Sequence, residues 1–315
     1  MGPQELSGVS STSALERDVL QGLSQPQKAI PCKYLYDAEG CRLFEAITQV
    51  PEYYLTRAEC EILGRLGTVW PSTRPRPKAV AELGPGNGEK TVLLLAALPE
   101  VAVYLPVDIA PSGLEATVAR VRDSGWAGAI QPQVADYSGG WRWPEAGPLP
   151  RLVAFLGSSI GNFEPAEAVA FLRRLGAGLE PGDGLLVGVD LEKDRQRLEA
   201  AYNDRRGVTA AFNRNLLVRL NRELGADFDP EAFDHLATYN AARHRVELYL
   251  VSRTRQEVAV GGRRFSFGPG ERIHVENSYK YSLAGFRTLL QAAGWHPERV
   301  WLDRRGDFAL YLAGV

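Results

Sequence analysis

The chain has 315 residues, long enough for one large domain or two ordinary ones with a substantial core, and 36 basic against 38 acidic residues give a formal net charge of −2. That balance removes the general electrostatic case for nucleic acid or an acidic membrane and leaves a small molecule as the default partner. Cys32, Cys41 and Cys60 form no C-x-x-C pair and fit a reducing compartment, and His235, His244, His274 and His296 lack ligand spacing, so no metal site is expected. With no leader-like opening and no stretch of membrane-spanning length, the expected location is the cytoplasm.

In chain order, Ala14 to Leu23 predicts a short helix behind a frayed tip. The apolar spacing from Leu43 to Leu66 predicts two helices joined at Val50 to Tyr54, before a linker from Pro71 to Pro77. Short apolar runs then alternate with helical stretches, the pattern of parallel strands and crossover helices. Strands are predicted at Ala79 to Leu83, Val103 to Asp108, Gln131 to Ala135, Leu152 to Leu156 and Gly184 to Val189. Helices are predicted at Thr91 to Ala97, Gly113 to Ser124 and Ala166 to Leu179. This is a doubly wound α/β sheet. Beyond it, Arg195 to Leu224 reads as helical throughout, and Arg245 to Arg253 with Glu257 to Phe267 reads as a hairpin. Ser282 to Ala293 returns to helix with Gly294 as its cap, and Arg299 to Leu302 and Phe308 to Ala313 supply two closing strands. The sheet is thus interrupted by an insertion. The expected division sets a core of residues 61–195 and 282–315 beside a discontinuous α+β lobe of residues 1–60 and 196–281.

Between the first strand and its helix stands Glu82-Leu83-Gly84-Pro85-Gly86-Asn87-Gly88-Glu89-Lys90-Thr91. Both the dinucleotide fingerprint and the phosphate-binding loop need glycine at position 89. A carboxylate there would repel phosphate, so the turn is read as a site for S-adenosylmethionine, whose sulfonium centre brings none. Glu82, at the strand end, is placed to hold a polar group of the cofactor. Ligands of open α/β sheets sit beyond the carboxyl ends of the strands. Asp108, ending the second strand, is placed to accept from ribose hydroxyls, or alternatively to cap the next helix. Asp136 and Tyr137 end the third strand, where a carboxylate can take the adenine amino group and a ring can pack on the base. After the fourth strand, Gly157-Ser158-Ser159-Ile160-Gly161-Asn162 joins a second glycine turn to an amide that both donates and accepts, which suits an amino acid acceptor; a turn or cap asparagine is the plain alternative.

Several separated segments carry a resemblance: Tyr34-Leu35-Tyr36-Asp37, Leu43-Phe44-Glu45-Ala46-Ile47 and Pro51-Glu52-Tyr53-Tyr54-Leu55-Thr56-Arg57-Ala58-Glu59, then Gly157 to Asn162, Ala201-Tyr202-Asn203-Asp204, Gly207 to Asn215 and Glu276-Asn277-Ser278. From about residue 28 onward the chain resembles the histidine-specific Nα-methyltransferases of ergothioneine biosynthesis. The resemblance implies a Rossmann-like class I methyltransferase fold with a smaller substrate-binding lobe, and a monomer. It implies three methyl transfers from S-adenosylmethionine to the α-nitrogen of L-histidine, giving the betaine hercynine. On it, Asn162 and Tyr202 hold the substrate carboxylate, while Tyr53 and the Glu276-Asn277-Ser278 segment hold the imidazole. Tyr36 lies near the amine and Thr209 near the ring. Gly84, Gly86, Lys90, Asp108, Asp136, Tyr137 and Gly157 form the cofactor set, Lys90 reaching the methionine carboxylate.

A carboxylate facing the ring N–H rewards a group that an apolar side chain lacks, so Glu276 selects histidine. Pro85 to Gly88 replace a Ser-Gly-Thr-Ser type of turn and Leu248 stands where a methionine can occur beside the ring; cofactor binding is expected to survive both, and Leu248 leaves the finer substrate preference open. A relative acting on another amino acid, such as a tryptophan derivative, and a non-catalytic cofactor-binding module are the alternatives.

Overall fold

The computed structural model describes residues 11–144 and 148–315. The frayed tip and the first ten residues of the expected lobe lie outside them. The chain packs as two units. One contains the described residues up to Phe44, with Arg205–Thr238 and Glu247–Glu276; the other contains Glu45–Asp204, Tyr239–Val246 and Asn277–Val315. The expected core of residues 61–195 and 282–315 lies within the second unit, which also takes in residues 45–60, 196–204, 239–246 and 277–281.

Helix α1 (Ser11–Leu23) and a 3-10 turn at Cys32–Leu35 precede α2 (Ala38–Thr48), and α3 (Leu55–Val69) follows the Val50–Tyr54 joint. The α/β run then contains β1 (Ala79–Leu83), α4 (Glu89–Ala97), β2 (Val103–Asp108), α5 (Pro111–Asp123), β3 (Ala129–Ile130), β4 (Gln133–Val134), β5 (Arg151–Phe155), α6 (Pro165–Gly176) and β6 (Gly184–Asp190). The single third strand expected at Gln131 to Ala135 is two short ones, β3 and β4, both pairing with β2. After α7 (Arg195–Tyr202) and α8 (Val208–Leu224) come β7 (Phe233–Asn240), β8 (Arg245–Ser252), β9 (Gln256–Val260), β10 (Arg263–Phe267), β11 (Arg272–Tyr279), α9 (Leu283–Ala292), β12 (His296–Leu302) and β13 (Phe308–Gly314).

The main sheet has the order β12-β13-β6-β5-β1-β2-β3. β1, β2, β5 and β6 pair in parallel, and β13 runs antiparallel between β6 and β12. Every residue of β1, β5, β6 and β13 is buried, which is why these strands read as nearly continuous apolar runs rather than alternating ones. Strand order reverses between β1 and β5, so the turns after these two strands open at the switch point of the sheet. Beneath them, Phe163 stacks on Phe171 at 4.9 Å and Phe171 meets Phe155 at 5.2 Å. Trp295, fully buried, donates its indole N–H to the Leu172 carbonyl at 2.9 Å.

Two expectations for the insertion are corrected. The long helix from Arg195 breaks at residues 203–207, where Asn203 caps α7 and Gly207, at φ 70°, starts α8. The expected hairpin of Arg245 to Arg253 with Glu257 to Phe267 does not form: β8 lies between β7 and β11 in a three-stranded sheet. Residues 256–267 instead fold on themselves, pairing Val260 with Arg263 across Gly261 and Gly262. Both glycines have positive φ, 53° and 75°, as the twist of a two-residue hairpin loop demands.

Candidate active site

The turn after β1 brings a backbone, rather than side chains, to the switch point. Gly84 has φ 67° and donates its N–H to the Val107 carbonyl at 2.8 Å; a Cβ there would stand 3.2 Å from the Tyr137 hydroxyl. The Gly86 carbonyl accepts from the Thr117 hydroxyl at 2.8 Å, and Asn87 Oδ1 accepts the Glu89 N–H at 3.1 Å where α4 begins. Glu89 therefore puts a carboxylate into the first turn of the helix, the place where a phosphate would need to sit.

Lys90, one residue on, is ion-paired with Glu59 Oε2 at 3.0 Å. The same oxygen accepts the Gly157 N–H at 2.8 Å, so a carboxylate on α3 ties the first turn of α4 to the turn after β5. Gly157 has φ 78°, and a Cβ would lie 2.8 Å from Lys90 Nζ. Glu59 is fully buried and its Oε1 has no hydrogen-bond partner among the described residues. Sequence reasoning gave Glu59 no role. Its signal was a carboxylate on the helix face that buries Ala58, Ile62, Leu63 and Leu66.

Asp108 ends β2, and its Oδ1 accepts the Ala110 N–H at 2.9 Å, which fixes the carboxylate. Burial holds its pKa above the ordinary value of 3.8. It does not cap α5, whose N-cap is Ala110 with no side-chain bond. Asp136 accepts from the Ser138 N–H at 3.0 Å and from its hydroxyl at 2.5 Å, while the Tyr137 ring packs edge-on to Phe155 at 5.7 Å. Glu82 is fully buried with Oε2 held by Thr91 at 2.6 Å and Tyr104 at 2.7 Å, so it braces the strand end from inside. Two turns whose glycines take positive φ, a cation at one and fixed carboxylates at the ends of β2 and β4, suit a ligand with an adenosyl and an amino acid end.

After Gly157, Ser158 takes a left-handed conformation at φ 60° and its buried hydroxyl accepts the Asp190 N–H at 2.9 Å. A short 3-10 turn ends in Asn162, half-buried, whose amide makes no hydrogen bond among the described residues. Two residues on, Glu164 N-caps α6 in a reciprocal box with Glu167. Glu164 also accepts from Arg245 at 2.7 Å, the Asn277 amide at 2.9 Å and the Tyr279 hydroxyl at 2.6 Å. Side chains alternate along a strand. Asn277 and Tyr279 thus share the face of β11 turned to Glu164, and Glu276 and Ser278 share the other.

On that other face the Ser278 hydroxyl is 2.8 Å from the Tyr202 hydroxyl, and the Tyr53 ring meets the Tyr202 ring edge-on at 6.1 Å. Tyr202 ends α7; Tyr53 and Tyr54 sit in the joint before α3. Lys280, fully buried just beyond β11, is 2.7 Å from the Tyr202 hydroxyl, 2.8 Å from Ser278 Oγ and 2.8 Å from Asp190 Oδ2. Asp190 also accepts from Lys193 at 2.6 Å and from the Tyr54 hydroxyl at 2.8 Å. Burial alone would raise the Asp190 pKa, but the two ammonium groups hold it below the ordinary range.

In the other unit, the Tyr36 ring meets Phe44 at 5.6 Å and Phe212 at 5.4 Å, both edge-on. Thr209 is buried in the first turn of α8, Glu276 is 9% exposed near the end of β11, and Leu248 is buried in β8. Several of the motif residues around them are structural: Asp37 accepts from Asn215 at 2.7 Å, from Arg222 at 2.6 Å and from the Gly40 N–H at 2.8 Å.

A model of the family of histidine-specific, SAM-dependent methyltransferases matches residues 15–315. The chain is 42% identical to a histidine N-alpha-methyltransferase of Mycobacterium tuberculosis, over 95% of this chain and 94% of that one. A histidine N-alpha-methyltransferase of Mycolicibacterium smegmatis is 41% identical over 98% of this chain and 97% of its own. The ergothioneine biosynthesis protein 1 of Neurospora crassa is 32% identical over 90% of this chain, which spans 33% of that longer protein. The chain therefore belongs to the SAM-dependent, histidine-specific methyltransferases.

Proposed function

We propose that the protein transfers three methyl groups in succession from S-adenosylmethionine to the α-nitrogen of L-histidine, forming hercynine on the route to ergothioneine. The cofactor supplies an electrophilic methyl on a sulfonium centre, and the protein's task is to place an amine lone pair in line with it. Gly84, Gly86 and Gly157 let backbone close on the cofactor, with Lys90 beside its carboxylate, Asp108 on its ribose and Asp136 with Tyr137 at its base. Asn162 and Tyr202 take the substrate carboxylate; Tyr53, Thr209, Glu276 and Ser278 take the imidazole. Asn277, its amide donated to Glu164, acts by holding β11 in place.

The amine is mostly protonated at neutral pH and must lose a proton before each transfer, which Tyr36 or water relays. Aromatic faces such as those of Tyr36, Phe44 and Phe212 favour the growing ammonium charge. The observation that carries this reading is Asn162, a half-buried amide without a hydrogen bond among the described residues, at the switch point, five residues past a turn shaped for close approach. The enzyme is proposed to work as a monomer on free histidine, away from nucleic acid and membranes. Its proposed home is the cytoplasm, where Cys32, Cys41 and Cys60 stay reduced. Burial pushes the Cys32 thiol up to about 12, which keeps it unreactive.

Incubation of the pure protein with S-adenosylmethionine and single amino acids, followed by product mass, tests the function. Histidine is expected to gain one, two and then three methyl groups. If tryptophan gains them and histidine does not, the assignment is wrong.

A further inference from the structure

Lys280 carries a charge into the interior without touching solvent, two residues past Ser278, and no ligand role explains it. Its three near partners, Asp190 Oδ2 at 2.8 Å, the Tyr202 hydroxyl at 2.7 Å and Ser278 Oγ at 2.8 Å, match the three N–H bonds of an ammonium. All three donors are then spent, so Lys280 reaches no ligand itself. The consequence lies in the two hydroxyls. Each uses a lone pair on Lys280, and they stand 2.8 Å apart. Only one of the two can donate to the other, so one hydroxyl proton of the pair is always directed out of the triad.

Charge points the same way. Asp190 is flanked by two ammonium groups, Lys193 and Lys280, leaving one positive charge in excess beside Tyr202. An ammonium that polarises a hydroxyl makes it a stronger donor toward an anion. The anion at Tyr202 in the reading above is the substrate carboxylate.

We propose that Lys280 is a positioning residue that turns the Ser278 hydroxyl to donate to Tyr202, so that the Tyr202 proton points out of the triad as the carboxylate donor under positive potential, and the enzyme requires an acceptor amine bearing an α-carboxylate. This rests on histidine being the acceptor, which wild-type turnover tests separately.

The test compares L-histidine with histamine, which has the ring and the amine but no carboxylate, as ligands of wild-type and Lys280→Met protein. Binding of S-adenosylhomocysteine is measured alongside. The variant is expected to lose at least about tenfold in histidine affinity, about 1.4 kcal/mol, while histamine and S-adenosylhomocysteine change by less than about twofold. Equal losses for histidine and histamine would make Lys280 a merely structural residue and overturn the proposal, as would an unchanged histidine affinity. If K280M alone does not fold, Lys280→Gln, which removes the charge but keeps a polar side chain beside Asp190 while Lys193 stays paired, is held to the same two outcomes.

Discussion

At the scale of single residues, the site is built from buried charges whose neighbours decide what they do. Asp108 is the clearest case. Its folded pKa lies above the ordinary 3.8 because burial disfavours the ionised form. The folded protein therefore binds this proton more tightly than the unfolded chain does. Stability falls as pH rises from 3.8 through the folded pKa, and at neutral pH the carboxylate stands as a fixed cost. Asp108→Asn keeps the acceptor for the Ala110 N–H and removes that cost. It is expected to raise the melting temperature of the ligand-free protein by about 2 °C. Cofactor affinity should fall about tenfold through loss of charge-assisted bonds to ribose. Calorimetry on one preparation reads both, and an unchanged cofactor affinity would remove Asp108 from the site. Asp108, Lys90 and Gly157 could be picked from the sequence because strand ends and glycine turns mark their places. Glu59 and Lys280 could not, since a lone Glu or Lys in sequence reads as solvated until its buried partners are known.

At the scale of elements, Asp37 fastens the turn before α2 to α8 through Asn215 and Arg222. Burial works to raise its pKa, but the bonds from Arg222, Gly40 and Asn215 outweigh it and hold the carboxyl below 3.8. Its stabilisation is therefore complete above that value and is lost as pH falls through the folded pKa. Asp37→Asn should unfold at a temperature lower by about 3 °C at pH 7, with the deficit closing as the pH drops below 4. A deficit independent of pH, in melting curves taken across that range, would mean the charge is not what matters. The centre of the main sheet was legible because β1, β5, β6 and β13, covered on both faces, are mostly apolar. β7 and β11 were missed because they mix polar groups in among their apolar ones. Phe-Asp-His-Leu-Ala-Thr-Tyr-Asn buries only Phe233 and Ala237 fully, and β11 carries Glu276, Asn277 and Ser278, so neither shows the two-residue period.

At the scale of the whole molecule, the last strand in sequence is an interior strand in space. β13 pairs with β6 along Phe308–Gly314 and with β12 on its other edge, and all seven of its residues are buried. Deleting residues 308–315 is expected to abolish cooperative unfolding and cofactor binding together, as read by calorimetry. A truncated protein that still bound S-adenosylhomocysteine would show that the sheet closes without it. The family was legible because its motifs are scattered through both units; the boundaries of those units were not, because four of the five fall inside continuous elements. One such boundary cuts β11 between Glu276 and Asn277. Along that strand the even positions, Glu276 and Ser278, face one way and the odd ones, Asn277 and Tyr279, are anchored on Glu164. If Glu276 and Ser278 read the substrate as proposed, substitution at an even position retunes which side chain is accepted while the odd positions keep the backbone where it is. On that proposal a single strand gives this enzyme both a fixed frame and an editable reader, and is the place to redirect the chemistry toward another amino acid.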